Sequence, residues 1–221
     1  MRRLRPTDGT PLHKRAARYH LAKLTTGGAP LHQTLHAEMT ALYAALKVRA
    51  RATEDAEDDA VEASAMADHA EIALENRIRD THADLAKLDR QVPSLSAQAS
   101  VFPAGFGPDI EPEGASQLQP LTSLRLRLAQ FSAHGIVIEA LARFDAAQAA
   151  FKAGLEAERK AAEVVAKLFA EELEARRRVR EQLESAHGRL RDLYKARPAL
   201  AEEFFLKEGK RRIAKKEPTD G

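Results

Sequence analysis

The sequence predicts an all-α protein: an elongated antiparallel helical bundle or coiled coil built from two long helical stretches, with short helices near both ends. Three observations carry this prediction. Alanine, leucine, glutamate, arginine and lysine dominate the 221 residues, which is typical of long helices. Two stretches, 31–91 and 121–197, contain no proline. Along both of them, apolar residues recur with the spacing of one helix face.

The first long stretch, 31–91, places its apolar residues on a single helix face. The phase does not change through the acidic segment 53–62, which favours one continuous helix. The same segment contains Asp59 and Glu62, spaced as in a capping box, so a hairpin that turns there is the alternative. The predicted buried face consists of Leu31, Leu35, Met39, Leu42, Leu46, Arg49, Thr53, Ala56, Ala60, Ala63, Ala67, Ala70, Leu74, Ile78, Thr81, Leu85 and Leu88.

The second long stretch, 121–197, has a similar face and ends in a heptad seam, the pattern of a coiled coil. Gly135 and Gly154 are candidates for bends or turns, because glycine weakens a helix interior by roughly 1 kcal/mol relative to alanine. If both stretches turn back on themselves, the result is a four-helix bundle. The predicted buried residues are Leu121, Leu124, Leu128, Phe131, Ile138, Leu141, Phe144, Ala147, Phe151, Leu155, Ala162, Val165, Phe169, Val179, Leu183, Ala186, Leu190 and Leu193.

Three shorter regions flank these stretches. Residues 1–30 form a basic N-terminal arm with a short helix predicted at 11–24, for which Thr10 is the expected N-cap. Residues 92–120 form a connection rich in proline and glycine, where a long helix cannot continue. Residues 198–221 combine a short helix with a basic tail.

The chain also repeats a pattern of residues. The segments 82–95 and 187–200 read HADLAKLDRQVPSL and HGRLRDLYKARPAL, and they share His, two Leu, Pro and a final Leu at a spacing of 105 residues. Duplication of one helical unit explains this agreement. Alternatively, both segments are ordinary helix ends, because a helix stops before proline and a basic residue suits its C-terminal end.

Charge is distributed unevenly along the chain. Residues 1–24 contain seven Lys or Arg and one acid, and residues 207–221 contain six Lys or Arg and three acids. Because the net charge of the whole chain is only +2, an acidic body carries two basic ends. Such ends either bind an anionic polymer or simply keep a protein dissolved. The candidate polyanion-binding residues are Arg2, Arg3, Arg5, Lys14, Arg15, Arg18, Lys23, Lys210, Arg211, Arg212, Lys215 and Lys216.

Two charge clusters within the long stretches are interpreted as ordinary helix surface. The acidic segment 53–62 lacks the glycine and the ligand spacing of a calcium loop. In the basic segment 176–180, arginines follow glutamates by three or four residues, the spacing of ion pairs on a helix.

The sequence offers little for catalysis. Cysteine is absent, which excludes thiol chemistry, and nucleotide-binding and nucleophile motifs are missing. A di-iron bundle needs two Glu-x-x-His pairs, and the chain has one, at Glu184 and His187. His32 and His36 are interpreted as surface histidines near a helix start. We therefore expect no enzyme activity, no catalytic residue, no cofactor and no bound metal.

These features predict a non-enzymatic scaffold or interaction protein. It would act through self-association, most simply as an antiparallel dimer, or through protein partners. The alternative is a protein that binds nucleic acid or another polyanion through its basic ends. No apolar run is long enough to cross a membrane and the N-terminus does not resemble a secretory signal, so we expect a cytoplasmic protein.

Overall fold

The fold is given by a computed structural model, which describes residues 4–207. The structure is 81% helical, and no strand occurs within the described residues. Two long helices pack against each other, which confirms the predicted all-α bundle. The helices are α1 (Thr10–Leu24), α2 (Pro30–Gln91), α3 (Ala97–Val101), α4 (Gly107–Ile110), α5 (Leu118–Ala129), α6 (Gly135–Leu193) and α7 (Pro198–Glu202), with a 3-10 helix at Gly114–Gln117.

The first long stretch is one continuous helix, α2, so the hairpin alternative for this stretch is wrong. The acidic segment 53–62 lies in the helix interior, and its six carboxylates are exposed, as expected for a solvated helix face. The predicted apolar face is buried or half-buried at every position except Arg49. The Arg49 guanidinium instead lies 2.6 Å from a carboxylate oxygen of Glu171 on α6.

The second long stretch is not one helix, because a turn at residues 130–134 separates α5 from α6. Gly135 is the first residue of α6, whereas Gly154 lies in its interior. The turn restarts the helical phase, so the prediction that Ile138 is buried is wrong. Ile138 is 56% exposed and its neighbour Val137 is buried instead.

Three further residues that were predicted to be buried, Ala162, Phe169 and Leu193, are exposed. Leu193 is the last residue of α6, where the heptad seam ends. The Phe169 ring lies 5.5 Å from the Arg176 guanidinium on the helix surface. At Phe169 and Leu193, the helical spacing of apolar residues in α6 therefore continues past the part of the helix that is buried.

The described helices form two compact units. Unit 1 contains the described residues up to Glu54 and from Ala166 onward, and unit 2 contains Asp55–Val165. Each long helix therefore contributes one part to each unit. In unit 1, α1 and the C-terminal segment cover the paired long helices with residues such as Ala17, Leu24 and Phe205. In unit 2, α3 and α5 do the same with residues such as Val101, Leu121 and Leu128.

The helices of the two units recur at a constant spacing. α1 ends at Leu24 and α5 at Ala129, and α2 begins at Pro30 and α6 at Gly135, so both pairs lie 105 residues apart. Nine buried residues of α2 have a buried counterpart 105 residues later in α6: His32 and Val137, Leu35 and Ala140, Met39 and Phe144, Leu46 and Phe151, Ala67 and Glu172, Leu74 and Val179, Ile78 and Leu183, Thr81 and Ala186, and Leu85 and Leu190. The motif at 82–95 and 187–200 is thus one part of a structural repeat, whose origin by duplication stays a prediction.

The repeat also relates two ion pairs whose charges are exchanged. In unit 1, the Arg189 guanidinium lies 2.8 Å from a carboxylate oxygen of Glu38. In unit 2, the Arg143 guanidinium lies 2.7 Å from a carboxylate oxygen of Asp84. Positions 38 and 143 are equivalent in the repeat, as are 84 and 189, so acid and base have changed places. We call α1 with α2 the first half of the repeat and α5 with α6 the second half. Two first halves packed together would place Glu38 against Asp84, and two second halves would place Arg143 against Arg189, so like charges would meet.

The long helices approach each other closely at Gly154. A Cβ atom built at this position would lie 3.0 Å from the Ala67 backbone Cα and 3.4 Å from the Ala67 Cβ. Glycine therefore permits close packing here and does not mark a bend. Gly188, also in α6, has no atom within 4 Å of the position its Cβ would take.

We predict that Gly154→Leu lowers the free energy of unfolding by about 1–3 kcal/mol, because the added side chain forces the two helices apart. The matched change Gly188→Leu places the same residue on an open part of the same helix. It should stabilise the protein by up to about 1 kcal/mol through helix propensity. Urea unfolding followed by circular dichroism measures both values. Equal effects of the two changes would contradict the close approach of α6 to Ala67.

Candidate functional site

Helix α1 has one buried face and one basic face. Its 15 residues, TPLHKRAARYHLAKL, include four Lys or Arg and no acid. The buried residues are Thr10, His13, Ala16, Ala17, His20 and Leu24, which recur with helical spacing. The remaining positions present Lys14, Arg15 and Arg18 toward solvent. The helix thus places its positive charge on the side that faces away from the unit 1 core.

The start of α1 differs from the prediction. Gly9, not Thr10, is the N-cap residue, and Pro11 occupies the first turn. The Thr10 hydroxyl is buried and donates a hydrogen bond to the carboxylate of Glu172 on α6. Glu172 also accepts a hydrogen bond from the Arg176 guanidinium at 2.6 Å. Thr10 therefore ties the N-terminal end of α1 to α6 instead of capping its own helix.

A groove between α1 and α2 is the candidate functional site. Two tyrosines from different helices, Tyr19 and Tyr43, lie in its wall. The Lys47 ammonium lies 5.7 Å from the centre of the Tyr43 ring and adds a further positive charge beside the groove. The groove is lined by Lys14, Arg15, Arg18, Tyr19, Ala22 and Tyr43. We call it the α1 groove.

The cations of the α1 groove differ from most other arginines because no carboxylate neutralises them. Among the described residues, no acid lies within ion-pair distance of Lys14, Arg15 or Arg18. Three arginines of the cluster at 176–180 are paired with glutamates, as predicted: Arg176 with Glu172, Arg177 with Glu174 and Glu181, and Arg178 with Glu174. For Arg180 the prediction is wrong, because its guanidinium contacts His13 Nε2 at 3.2 Å instead. The positive charge of the groove is therefore available to an anionic ligand.

The equivalent surface of unit 2 is neutral. The ends of α1 and α5 lie 105 residues apart, but their buried residues correspond at a spacing of 104, as do Ala17 and Leu121, and Leu24 and Leu128. At this spacing, uncharged residues replace the three cations of the groove: Leu118, Gln119 and Thr122. The same fold position thus carries a basic groove in one unit and none in the other.

The two arginines of α5 are both neutralised within unit 2. The Arg125 guanidinium donates two hydrogen bonds to the Asp145 carboxylate, at 2.6 and 2.8 Å. The Arg127 guanidinium donates to the Val101 carbonyl at 2.6 Å and to the buried Asp109 carboxylate at 3.2 Å. Burial raises the pKa of Asp109, and Arg127 partly offsets this by favouring the ionised carboxylate. These arginines hold unit 2 together and are not free to bind a ligand.

The buried side of α1 contains two histidines. His13 Nδ1 lies 3.0 Å from the Gly9 carbonyl oxygen, and His13 Nε2 lies 3.2 Å from the Arg180 guanidinium. Because the guanidinium can only donate, Nε2 accepts and Nδ1 carries the proton. Burial lowers the pKa of His13, and the positive charges of Arg180 and Arg176 lower it further.

His20 connects α1 to the segment that follows α7. Its Nδ1 donates to the Phe204 carbonyl oxygen at 3.0 Å, and its ring stacks on Phe205 with 4.7 Å between ring centres. Its Nε2 is buried and has no hydrogen-bond partner among the described residues. Burial lowers the pKa of His20, since a charged ring would be poorly solvated there.

His32 was predicted to be a surface histidine, and this is wrong: only 1% of its surface is exposed. Its Nδ1 accepts a hydrogen bond from the Ala29 backbone N–H at 3.0 Å, and its Nε2 lies 3.0 Å from the Tyr194 hydroxyl. Its ring stacks on Phe204 at 5.1 Å. The prediction failed because Tyr194 and Phe204, which cover His32, are more than 160 residues away in sequence. Burial lowers the pKa of His32.

The structure brings three of the twelve candidate polyanion-binding residues together: Lys14, Arg15 and Arg18. Lys23 lies on α1 but not in the groove, and Arg5 precedes the helix. The other seven lie outside the described residues: Arg2, Arg3, Lys210, Arg211, Arg212, Lys215 and Lys216. The sequence reasoning missed Tyr19 and Tyr43. Tyr43 does carry a signal, since it is a large aromatic residue next to, rather than on, the apolar face of α2.

Three findings concern other kinds of site. Within residues 4–207, no group of three or more His, Asp or Glu side chains is placed to hold a metal ion. In the single Glu-x-x-His pair, Glu184 is exposed and His187 Nε2 lies 2.6 Å from a carboxylate oxygen of Glu202 on α7. None of the described helices combines the length and apolar character that crossing a bilayer requires.

Comparisons with known proteins add no relative. No protein-family model, no curated protein and no solved structure matches the chain.

We predict that neutralising the groove leaves the fold intact. The triple change Lys14→Gln, Arg15→Gln and Arg18→Gln removes charges without carboxylate partners, so the free energy of unfolding should change by less than about 0.5 kcal/mol. The comparison change Arg127→Gln, in the equivalent helix of unit 2, leaves the Asp109 carboxylate buried without its cation and should cost about 1–3 kcal/mol. Chemical unfolding of both variants provides the test. A large loss in the triple variant would show that the groove cations serve the fold.

Proposed function

We propose that the chain is a non-enzymatic helical interaction protein that binds an anionic polymer, such as nucleic acid, in the α1 groove. The observation that carries this proposal is the set of three cations without acidic partners, held beside two tyrosines in one groove. Cations of this kind bind phosphates and release the counterions of a nucleic acid. Tyrosine rings give nucleotide bases a surface for stacking.

The size of the groove limits the interaction to a few phosphates. Lys14, Arg15 and Arg18 lie within five residues of one helix, and the acidic segment 53–62 on α2 would repel a ligand that extended along the body. Three phosphate contacts give a slope of about −3 for the logarithm of the duplex-binding constant against the logarithm of salt concentration. This value distinguishes binding in the groove from binding by a longer basic surface.

We predict that the full chain binds a labelled 30-nucleotide DNA, single-stranded or duplex, and that binding weakens between about 50 and 200 mM salt. Fluorescence anisotropy measures the affinity at each salt concentration. The triple change Lys14→Gln, Arg15→Gln and Arg18→Gln should weaken binding at least tenfold at low salt and remove most of the salt slope. Stronger binding of the single strand would indicate that Tyr19 and Tyr43 stack on bases.

The matched control is the triple change Lys152→Gln, Lys167→Gln and Lys195→Gln, which removes the same net charge from exposed positions elsewhere. It should leave affinity nearly unchanged, because the ligand is held locally. If both triple variants bind like the original chain, the groove is not the binding site. If both lose affinity equally, binding reflects net charge alone.

A second candidate function is self-association through the exposed apolar side chains of the long helices. Val61 is 70% exposed and Ile72 is 57% exposed. They lie eleven residues apart on α2, which places them on one helix face. Isolated exposed apolar residues are common, but two large ones aligned on a face that residues 4–207 leave uncovered favour a partner helix. A second copy of the chain, most simply in an antiparallel dimer, would supply that helix.

We predict that the protein is dimeric at micromolar concentration and that the double change Val61→Lys and Ile72→Lys shifts it toward monomer. Leu126→Lys, a change at a similarly exposed position on α5, should have no effect. Light scattering coupled to size-exclusion chromatography gives the mass of each variant. A monomeric mass for the original chain at these concentrations would end the self-association proposal.

A further inference from the structure

We propose that unit 1 contains an acid-sensitive latch, in which protonation of His13, His20 and His32 releases α1 and the C-terminal segment 198–206 while unit 2 stays folded. The latch is a property of the fold and does not require a ligand. Its consequence for binding rests on the proposed function, because α1 forms one wall of the α1 groove and its release would dismantle the groove.

His20 is held neutral by a hydrogen bond at its Nδ1 and by apolar surroundings at its Nε2. Its Nδ1–H is already engaged with the Phe204 carbonyl, so an added proton must go to the buried Nε2. No acceptor faces Nε2 among the described residues, and the Phe205 ring stacks on the imidazole. The nearby His36 on α2 adds no negative charge that would stabilise an imidazolium. Protonation therefore favours separation of α1 from Phe204 and Phe205.

His32 is held neutral because one of its nitrogens must accept. Nδ1 takes the Ala29 N–H, so Nε2 carries the only ring proton and donates it to the Tyr194 hydroxyl. A second proton on Nδ1 would point at the Ala29 N–H and break that hydrogen bond. The ring also supports Phe204 of the C-terminal segment. Protonation thus disturbs the turn between α1 and α2 and the contact with Phe204 at the same time.

The turn before α2 is shaped to fit the His32 ring. A Cβ atom at Gly27 would overlap the imidazole of His32. The equivalent position in unit 2 is Ser132, which has a Cβ, and there the residue equivalent to His32 is the smaller Val137. At these two equivalent positions, glycine and histidine therefore occur together in unit 1 and neither occurs in unit 2.

His13 is held neutral by Arg180, which donates to its Nε2. The facing charged groups are Arg180 and Arg176 on α6, which oppose an imidazolium, and Asp8, which favours one. Asp8 is engaged locally, since one of its carboxylate oxygens accepts the Arg5 backbone N–H at 2.8 Å. Protonation would set two positive side chains against each other under the N-terminal half of α1.

Two contacts of the same region resist release. His187 on α6 contacts the Glu202 carboxylate and packs edge-on against Phe205. Thr10 holds the start of α1 through the Glu172 carboxylate, which stays ionised near pH 6. Release therefore needs more than one histidine to be protonated, which makes the transition steep rather than gradual.

Unit 2 provides an internal comparison at all three positions. The residues equivalent to His13, His20 and His32 are Gln117, Leu124 and Val137, and all three are buried without a titratable group. The paired long helices, the short covering helix and the helix ends are otherwise arranged alike in the two units. Acid sensitivity from buried histidines at these three positions is thus confined to the unit that carries the groove.

The direction and range of the pH effect follow from the lowered pKa values of these histidines. In the unfolded or released state each has the ordinary pKa of about 6.5, and in the folded state it resists protonation. Above that value neither state is protonated and the latch is closed. Below it, the equilibrium constant for release rises about tenfold per pH unit for each histidine that stays neutral in the closed state, up to about 1,000-fold for three.

In the full chain, the tyrosine signal reports on unit 1 alone. All three tyrosines, Tyr19, Tyr43 and Tyr194, lie in unit 1, and the sequence has no tryptophan. We expect tyrosine near-ultraviolet circular dichroism to change steeply as the pH falls from 7 to 5. Hydrogen exchange is measured by mass spectrometry and corrected for the intrinsic rate at each pH. The backbone amides of 10–24 and 198–206 should then lose protection. Protection in 74–88 and 118–128 should persist.

The deciding variants exchange each histidine for its unit 2 counterpart: His13→Gln, His20→Leu and His32→Val, singly and together. Each single change should remove one factor of about ten per pH unit from the rise in the equilibrium constant for release. The triple variant should stay closed to lower pH. His69→Leu, at an exposed position of unit 2, is the control and should change nothing. If the triple variant does not fold, the three single variants still measure the steepness.

Three outcomes would overturn the latch: no change in the tyrosine signal before global unfolding, equal loss of protection in both units, or single variants as steep as the original chain. Failure of the proposed function is distinguishable from these, because it is seen as absent DNA binding at pH 7.5, where the latch is closed. A chain that binds no DNA but releases α1 with the expected steepness would retain the latch and lose only the groove.

Discussion

The antiparallel packing of α2 against α6 supplies the surface on which the short helices of both units form. Helices of five residues such as α3 and α7 are unstable in isolation, because nucleation costs more than so few hydrogen bonds return. They persist here because residues such as Val101 and Ala201 are buried against the paired long helices. Gly154 and Ala67 show how closely that pairing is made, since a single Cβ would disturb it. The placement of α1, and with it the groove, depends on this pairing.

The two units use one arrangement of helices for different chemistry. In unit 2, apolar residues fill the core and each arginine of α5 is neutralised by a carboxylate. In unit 1, histidines occupy the equivalent core positions and the outward cations of α1 have no acidic partner among the described residues. Buried histidines cost stability that leucine or valine would provide, as in unit 2. This contrast is the reason for assigning binding and its control to unit 1.

The sequence predicted those features that depend on neighbours along one helix. The face of α2 was correct at nearly every position, because burial of a continuous helix follows its period. The break at 130–134 was predicted only as one of two possibilities, because Gly135 and Gly154 were equal candidates for a turn and only Gly135 adjoins one. The groove and the burial of His32 could not be predicted from the sequence. Each depends on contacts between distant segments that only the tertiary fold brings together.

The exchanged ion pairs bear on how this fold could associate with a second copy of itself. Each pair is partly exposed, and such pairs contribute only about 0–1 kcal/mol of stability. Their effect on specificity is larger, because pairing two like halves would replace both attractions with repulsions. If α2 of one chain packed against α6 of a second chain, Glu38 would still face Arg189 and Asp84 would still face Arg143. The charge pattern therefore permits association that pairs unlike halves and opposes association that pairs like halves, whichever surface first brings two chains together.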